Sequence, residues 1–108
     1  MSERSQEILQ LRRIKDVARM VAEKYHAAEV YLFGSYARGE AKEDSDLDFL
    51  VYGGERFHPT DIFAMAEECR LILKKRVDMF EIREVDVGTP LYDSIMREKV
   101  RLYKCIQT

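Results

Sequence analysis

Two aspartates separated by one residue, Asp46 and Asp48, are the side chains of this sequence best suited to chemistry. The segment 46–52, Asp-Leu-Asp-Phe-Leu-Val-Tyr, predicts a β-strand, and a strand has a side-chain period of two, so both carboxylates leave the same face. Two anions held this close raise one pKa unless a cation lies between them. Oxygen-only ligands favour Mg²⁺ or Mn²⁺. The pair therefore predicts a divalent metal site, and the alternative is a solvated turn that caps the strand.

A Gly-Ser pair ten residues upstream could bind the phosphates of a metal-bound nucleotide. The apolar run 30–33, Val-Tyr-Leu-Phe, predicts a buried strand that ends at Gly34-Ser35. Gly34 allows the backbone to approach a ligand closely, and Ser35 offers a hydroxyl and an N–H, although a plain turn hydroxyl is the alternative. Residues 36–38, Tyr-Ala-Arg, can begin a helical turn whose N–H groups face an anion. Arg38 either contacts a phosphate or forms an ion pair with Glu40 or Asp44.

A third carboxylate, Asp78, lies between Val77 and Met79 in a predicted strand over 77–82. An unpaired Asp among apolar neighbours is costly, so it needs a partner or a metal. If this strand lies beside 46–52, Asp78 faces the Asp pair and completes a site for two metal ions, roughly 3.5–4 Å apart in such centres. Asp78 is then the candidate general base. The alternative is an ion pair between Asp78 and Arg76 or Arg83.

The rest of the pattern predicts the elements that must position these residues. Apolar residues recur every three or four positions from Ile8 to Tyr25 and predict an amphipathic helix. A second helix follows Pro59 and runs toward Lys74-Lys75-Arg76, a basic run typical of a helix C-terminus. A short helix after Pro90 and a strand over 100–103 complete the order α-β-β-α-β-α-β. This order predicts an α/β (α+β) fold with helices packed on a small mixed sheet of about four strands.

Composition limits the classes of function that the chain can have. Its 108 residues predict one domain spanning 1–108, since domains typically have about 100–150 residues. The net charge is −2, and residues 28–60 alone carry −4, so we expect no direct nucleic-acid binding. Cys69 and Cys105 fit no metal or disulfide spacing and are expected to be free, buried thiols. No signal peptide or membrane-spanning run is visible, so we expect a cytoplasmic protein without a membrane partner.

The central motif resembles that of a known family of enzymes. Gly34-Ser35, ten intervening residues and Asp46-Leu47-Asp48 resemble the signature of the DNA polymerase beta nucleotidyltransferase superfamily, with Val77-Asp78 similar to its third-carboxylate strand. The phrases 32–41, 45–48 and 95–103 are similar to the minimal nucleotidyltransferases, or MNT proteins, over about residues 28–104. One departure is Lys99, where many relatives have Gly in the turn between the last helix and strand.

The resemblance implies a Mg²⁺-dependent transfer of a nucleoside monophosphate from a triphosphate, with ATP expected, to a hydroxyl. Asp46, Asp48 and Asp78 would be metal-binding and catalytic, and Gly34, Ser35 and Arg38 would bind the nucleotide phosphates. The family also implies a HEPN-domain partner, a toxin whose tyrosine receives AMP from the MNT antitoxin. Two other functions are considered: an antitoxin that neutralises its partner by binding alone, and transfer to a small molecule such as an aminoglycoside.

Overall fold

The computed structural model describes residues 7–106 and contains the predicted order of helices and strands. A short helix after the first strand and a 3₁₀ turn after the third are added to that order. The elements are α1 Leu11–Tyr25, β1 Glu29–Phe33, α2 Gly34–Arg38, β2 Leu47–Tyr52, α3 Asp61–Leu73, β3 Val77–Glu81, the 3₁₀ turn Ile82–Glu84, α4 Pro90–Glu98 and β4 Val100–Lys104.

The four strands form one mixed sheet in the order β3-β2-β1-β4. Strand β1 is antiparallel to both β2 and β4, whereas β2 and β3 are parallel. Parallel neighbours need a crossover connection, and α3 supplies it. The fold is therefore α/β with helices packed on a mixed four-stranded sheet, as the sequence predicts.

Alternate residues of the strands enter two hydrophobic clusters on opposite faces of the sheet. In β1, Val30 and Leu32 pack with residues of α1 and α3, whereas Phe33 packs with Ile95 of α4. In β2, Phe49 belongs to the first cluster and Leu50 to the second. Because side chains alternate along a strand, Asp48 lies on the face of Leu50, which is the face that α4 covers.

Helix α1 begins later than the periodicity predicts. Ile8 lies before the helix and is 53% exposed, while Ile14 and Val21 are fully or almost fully buried. The Leu9 N–H donates to the Tyr36 hydroxyl at 3.2 Å, so the segment before α1 lies against α2. After β4, the Cys105 N–H donates to the Ala28 carbonyl at 2.7 Å, at the start of β1. The two flanking segments are thus attached near opposite ends of β1.

Several local predictions need correction. Strand β2 begins at Leu47, so Asp46 precedes the strand, and β3 ends at Glu81. Lys99 has an ordinary φ of −61°, so the turn before β4 does not need glycine. Both cysteines are free as expected, but only Cys69 is buried, since Cys105 is partly exposed.

Among residues 7–106, none of the helices has the length and apolar character needed to cross a bilayer.

Candidate active site

Asp48 lies where the three predicted motif segments meet. In the sheet register it pairs with Phe33, the last residue of β1, on one side and with Asp78 of β3 on the other. Paired residues of neighbouring strands project from the same face, so Asp48 and Asp78 lie side by side. Asp48 is partly buried, and Asp78, on the edge strand β3, is exposed. The sheet therefore brings together two of the three predicted carboxylates directly.

The third carboxylate, Asp46, lies in the segment just before β2 and is partly exposed. Its Oδ2 is 4.0 Å from Nη1 of Arg76, the residue before β3. Arg83 pairs instead with Glu81, with Nε 2.9 Å from Oε1. Within the described part of the chain, neither arginine forms an ion pair with Asp78, so the alternative interpretation of Asp78 receives no support.

Both burial and neighbouring negative charges disfavour the ionised form of Asp48. Burial, followed by the nearby negative charges of Asp78 and Asp46, raises the pKa of Asp48 from its ordinary 3.8 to about 6, against the opposing effect of Arg38. A cation bound beside Asp48 would stabilise its ionised form, because the positive charge would offset the repulsion from Asp78 and Asp46.

Gly34 gives the site its shape. Its φ is +77°, and a Cβ built on it would lie 2.2 Å from Oδ2 of Asp48, far inside van der Waals contact. Any side chain at this position would therefore displace the Asp48 carboxylate. Glycine is needed here for both the backbone conformation and the close approach. The structure thus gives a physical reason for glycine at this position, and phosphate binding by Gly34 stays a prediction.

Helix α2 begins at Gly34 and carries Ser35 and Arg38 within five residues. Ser35 lies in the first turn and is partly exposed, directly after the strand that pairs with Asp48. Arg38 donates from Nε to Glu40 at 2.9 Å and from Nη1 to Glu98 at 3.1 Å. The ion pair with Glu40 is thus formed, and Arg38 is also close enough to Asp48 to lower its pKa.

Glu98 is a contact of the site that sequence reasoning missed. Its Oε1 accepts from the Arg38 guanidinium and also, at 3.3 Å, from the Gly34 N–H. Glu98 ends α4, 64 residues from Gly34 along the chain, so no local periodicity links the two. The only sequence signal was its place in the 95–103 phrase that resembles the MNT proteins. Glu98 connects two of the three predicted phosphate-binding residues, Gly34 and Arg38.

The donor set fits a hard divalent cation, because carboxylate oxygens crowd around Asp48 and no softer ligand is among the predicted site residues. Within residues 7–106, no group of three or more His, Cys, Asp or Glu side chains is already arranged to hold a metal ion. The carboxylates of Asp46, Asp48 and Asp78 are gathered at one edge of the sheet without forming a finished metal centre.

The pKa of Asp48 predicts an unusual dependence of stability on pH. Between about pH 4 and 6 the folded protein holds a proton that the unfolded chain has lost, so the free energy of unfolding decreases as pH rises through this window. Above about pH 6 the charged form carries the full penalty of burial and repulsion. We therefore expect Asp48→Asn to raise the unfolding temperature of the metal-free protein at pH 7.5, with little gain at pH 4.

Thermal unfolding at both pH values, in buffer with a metal chelator, tests this expectation. Asp44→Asn, in the exposed turn just upstream, is the matched control for loss of one charge. An equal gain for Asp48→Asn at pH 4 and pH 7.5 would contradict the assigned cause.

Comparison with known proteins identifies the class. The family described as "Polymerase beta, Nucleotidyltransferase" matches residues 15–106. Protein adenylyltransferase MntA of Thermococcus cleftensis is 35% identical over 78 residues, which cover 72% of this chain and 77% of the relative. A solved structure provisionally named as a minimal nucleotidyltransferase is 33% identical with a TM-score of 0.70, covering 83% of this chain and 90% of that chain.

A likeness of fold alone extends to a toxin-antitoxin complex. One chain of the solved complex of a tri-AMPylated Shewanella oneidensis HEPN toxin with an MNT antitoxin superposes with a TM-score of 0.67 at 17% identity, covering 89% of this chain and 74% of that chain. The chain belongs to the polymerase beta family of nucleotidyltransferases. Within that family it is a minimal nucleotidyltransferase, similar in both sequence and length to the two relatives above.

Proposed function

We propose that this chain, acting as one domain over residues 1–108, transfers AMP from ATP to a hydroxyl of a partner protein in the cytoplasm. The acceptor is a tyrosine of a HEPN-type toxin, and the chain is its antitoxin. The observation that carries the proposal is the position of Asp48 between the Gly34 turn and Asp78. Two similar proteins support the acceptor class, since one is a protein adenylyltransferase and the other is an MNT antitoxin in complex with an AMPylated HEPN toxin.

The site residues have two separate roles, which are binding of the nucleotide phosphates and binding of the metal. Gly34 and Ser35 contribute backbone N–H groups and a hydroxyl to the triphosphate, and Arg38 contributes a cation. For this, the contacts of Glu98 with the Gly34 N–H and with Arg38, and the contact of Arg38 with Glu40, are exchanged for phosphate. Asp46, Asp48 and Asp78 would hold Mg²⁺, with two ions expected. When bound, Mg²⁺ would neutralise the triphosphate and stabilise the pyrophosphate leaving group.

Asp78 is suited to receive the proton of the acceptor. It is exposed and lies on the edge strand β3, so an acceptor hydroxyl can approach from beside the sheet. The acceptor oxygen forms a bond to the α-phosphorus, the bond from that phosphorus to pyrophosphate breaks, and the hydroxyl proton passes to Asp78. Because the acceptor approaches from outside the sheet, docking of another protein can supply its recognition.

Intact-mass measurement tests the proposal directly. The protein is incubated with ATP, Mg²⁺ and a HEPN-type protein from the same organism, and the expected result is the addition of one or more AMP groups to that partner. Omitting Mg²⁺, or replacing the acceptor tyrosine with phenylalanine, should remove the addition. An unmodified partner that nevertheless binds the chain would favour neutralisation by binding, and a modified aminoglycoside without any protein acceptor would favour the small-molecule activity.

A further inference from the structure

The three residues between α3 and β3, Lys74, Lys75 and Arg76, form a connector that was interpreted from sequence as a simple basic helix end. Lys74 ends α3 with a left-handed φ of 57°, and its side chain is exposed. Lys75, the next residue, has only 2% of its surface exposed. A lysine is rarely buried so completely, because removing its ammonium group from water is costly. Its burial therefore needs a specific explanation.

The Lys75 side chain reaches into the loop that leads to Asp46. Its Nζ donates to the carbonyl oxygen of Glu43 at 2.7 Å, across 32 residues of sequence. The same connector makes a second bond on the far side of Asp46, where the Leu47 N–H donates to the Arg76 carbonyl at 2.9 Å. The connector is thus hydrogen-bonded to the chain at Glu43, three residues before Asp46, and at Leu47, one residue after it.

The loop also has two hydrogen bonds within itself. The Lys42 N–H donates to the Ser45 hydroxyl at 2.7 Å, and the Ser45 N–H donates to the Lys42 carbonyl at 3.0 Å, which closes a turn over residues 42–45. These bonds fix the shape of the turn but do not attach it to the sheet. Lys75 attaches the turn to the connector that leads into β3, the strand that carries Asp78, and the 4.0 Å contact between Arg76 and Asp46 lies beside this attachment.

We propose that Lys75 is a positioning residue, which holds the 42–46 turn so that the Asp46 carboxylate stays beside Asp48 and Asp78. The lysine acts through the Glu43 carbonyl and touches neither nucleotide nor acceptor. This inference rests on the proposed function for its effect on catalysis, but its effect on the loop is independent of any activity.

The test compares Lys75→Met with Lys74→Met, the same substitution one residue earlier at an exposed position. Methionine fills much of the volume of the lysine stem without a charge, and replacing a buried charge by an apolar group is often neutral or stabilising. We expect Lys75→Met to keep its unfolding temperature within a few degrees of wild type while kcat for AMP transfer falls about 10- to 100-fold, as for other groups that support a metal ligand. KM for ATP should change little, because Gly34, Ser35 and Arg38 remain in place.

Amide hydrogen exchange gives the readout that does not depend on activity. In Lys75→Met the amides of Lys42 and Ser45 should exchange about 5- to 10-fold faster, the effect of losing one hydrogen bond of ordinary strength. The amides of β1 should be unchanged, and Lys74→Met should match wild type in both kcat and exchange. If wild type itself shows no AMP transfer, the proposed function fails, but the exchange result still decides the role of Lys75.

Wild-type kcat together with wild-type exchange in Lys75→Met would overturn the proposal. A fall in kcat with unchanged exchange of Lys42 and Ser45 would also overturn it, because the loop would then not be the route of the effect. Where Lys75→Met does not fold, Lys75→Gln, which keeps a shorter neutral donor, takes its place. Failure of both variants to fold would show that Lys75 serves folding and not positioning.

Discussion

Changing Asp46 and Asp48 together to asparagine is expected to reduce AMP transfer at least about 100-fold, which exceeds the usual loss from removing a group that merely supports a metal ligand. Asparagine preserves the size of each side chain but removes the anionic oxygens that a divalent cation prefers. The fold should persist, because Asp46 lies outside β2 and the ionised Asp48 is under electrostatic strain in the metal-free protein. The measurement is the rate of AMP addition to the partner by intact mass, with unfolding temperature as the check on folding.

The control for this variant removes two charges elsewhere. Asp16→Asn with Asp93→Asn alters one exposed residue of α1 and one exposed residue of α4, and we expect transfer within about twofold of wild type, since exposed charges outside the site contribute little. Undiminished transfer by Asp46→Asn plus Asp48→Asn would contradict the assignment of the site. Loss of transfer with full neutralisation of the toxin in cells would show that binding alone is sufficient for the antitoxin effect.

Gly34→Ala is the second variant with a large expected effect, because one methyl group would strike the Asp48 carboxylate. The Cβ would lie 2.2 Å from Oδ2, so the carboxylate or the turn must move by about 1 Å to reach ordinary contact. A displacement of this size at a catalytic group costs on the order of 100-fold in rate. We expect AMP transfer to fall by about that factor, and the free energy of unfolding to fall by about 1–2 kcal/mol because alanine is strained at positive φ.

Gly39 provides a matched control five residues away. It ends α2 with a φ of +74°, almost the same as the +77° of Gly34, but a Cβ on Gly39 would meet nothing within 4 Å. Gly39→Ala should therefore show the same backbone strain without the clash, and so a similar loss of stability with nearly wild-type transfer. Equal losses of transfer in the two variants would assign the effect to backbone strain in α2 instead of to Asp48.

The sequence was sufficient to predict the features that depend on local pattern. The strand that ends at Phe33 follows from an apolar run stopped by Gly34. The placement of Asp78 beside Asp48 was predicted only on the condition that the third strand lies beside the second, and the parallel register of β2 and β3 meets that condition. The match over residues 15–106 confirmed the resemblance to the polymerase beta nucleotidyltransferases, and the two relatives at 35% and 33% identity confirmed the likeness to the minimal nucleotidyltransferases. The roles of individual site residues and the identity of the metal stay predictions, because they depend on chemistry that the fold alone does not test.

Two features that sequence reasoning missed, the contacts of Lys75 and of Glu98, depend on residues far away along the chain. Lys75 resembled an ordinary helix end because its partner, the Glu43 carbonyl, is a backbone atom 32 residues away. Glu98 has no periodic relation to Gly34, which it meets only after α4 packs on the sheet. Ile8 fitted the helical repeat, but α1 begins at Leu11, since periodicity identifies a face and is weak at boundaries. The spacing of residues in the sequence predicts which side chains share a face of one helix or strand. It does not predict which residues of another helix or strand they will contact.

The bond between the Leu9 N–H and the Tyr36 hydroxyl has a practical consequence for handling the protein. A fluorescent label on residue 8, next to Leu9, would lie beside α2, the helix that carries Ser35 and Arg38. A label on residue 106, next to Cys105, would lie near Ala28, at the opposite end of β1. Experiments that monitor nucleotide binding or partner docking are therefore best made with the reporter group on the carboxyl-terminal side.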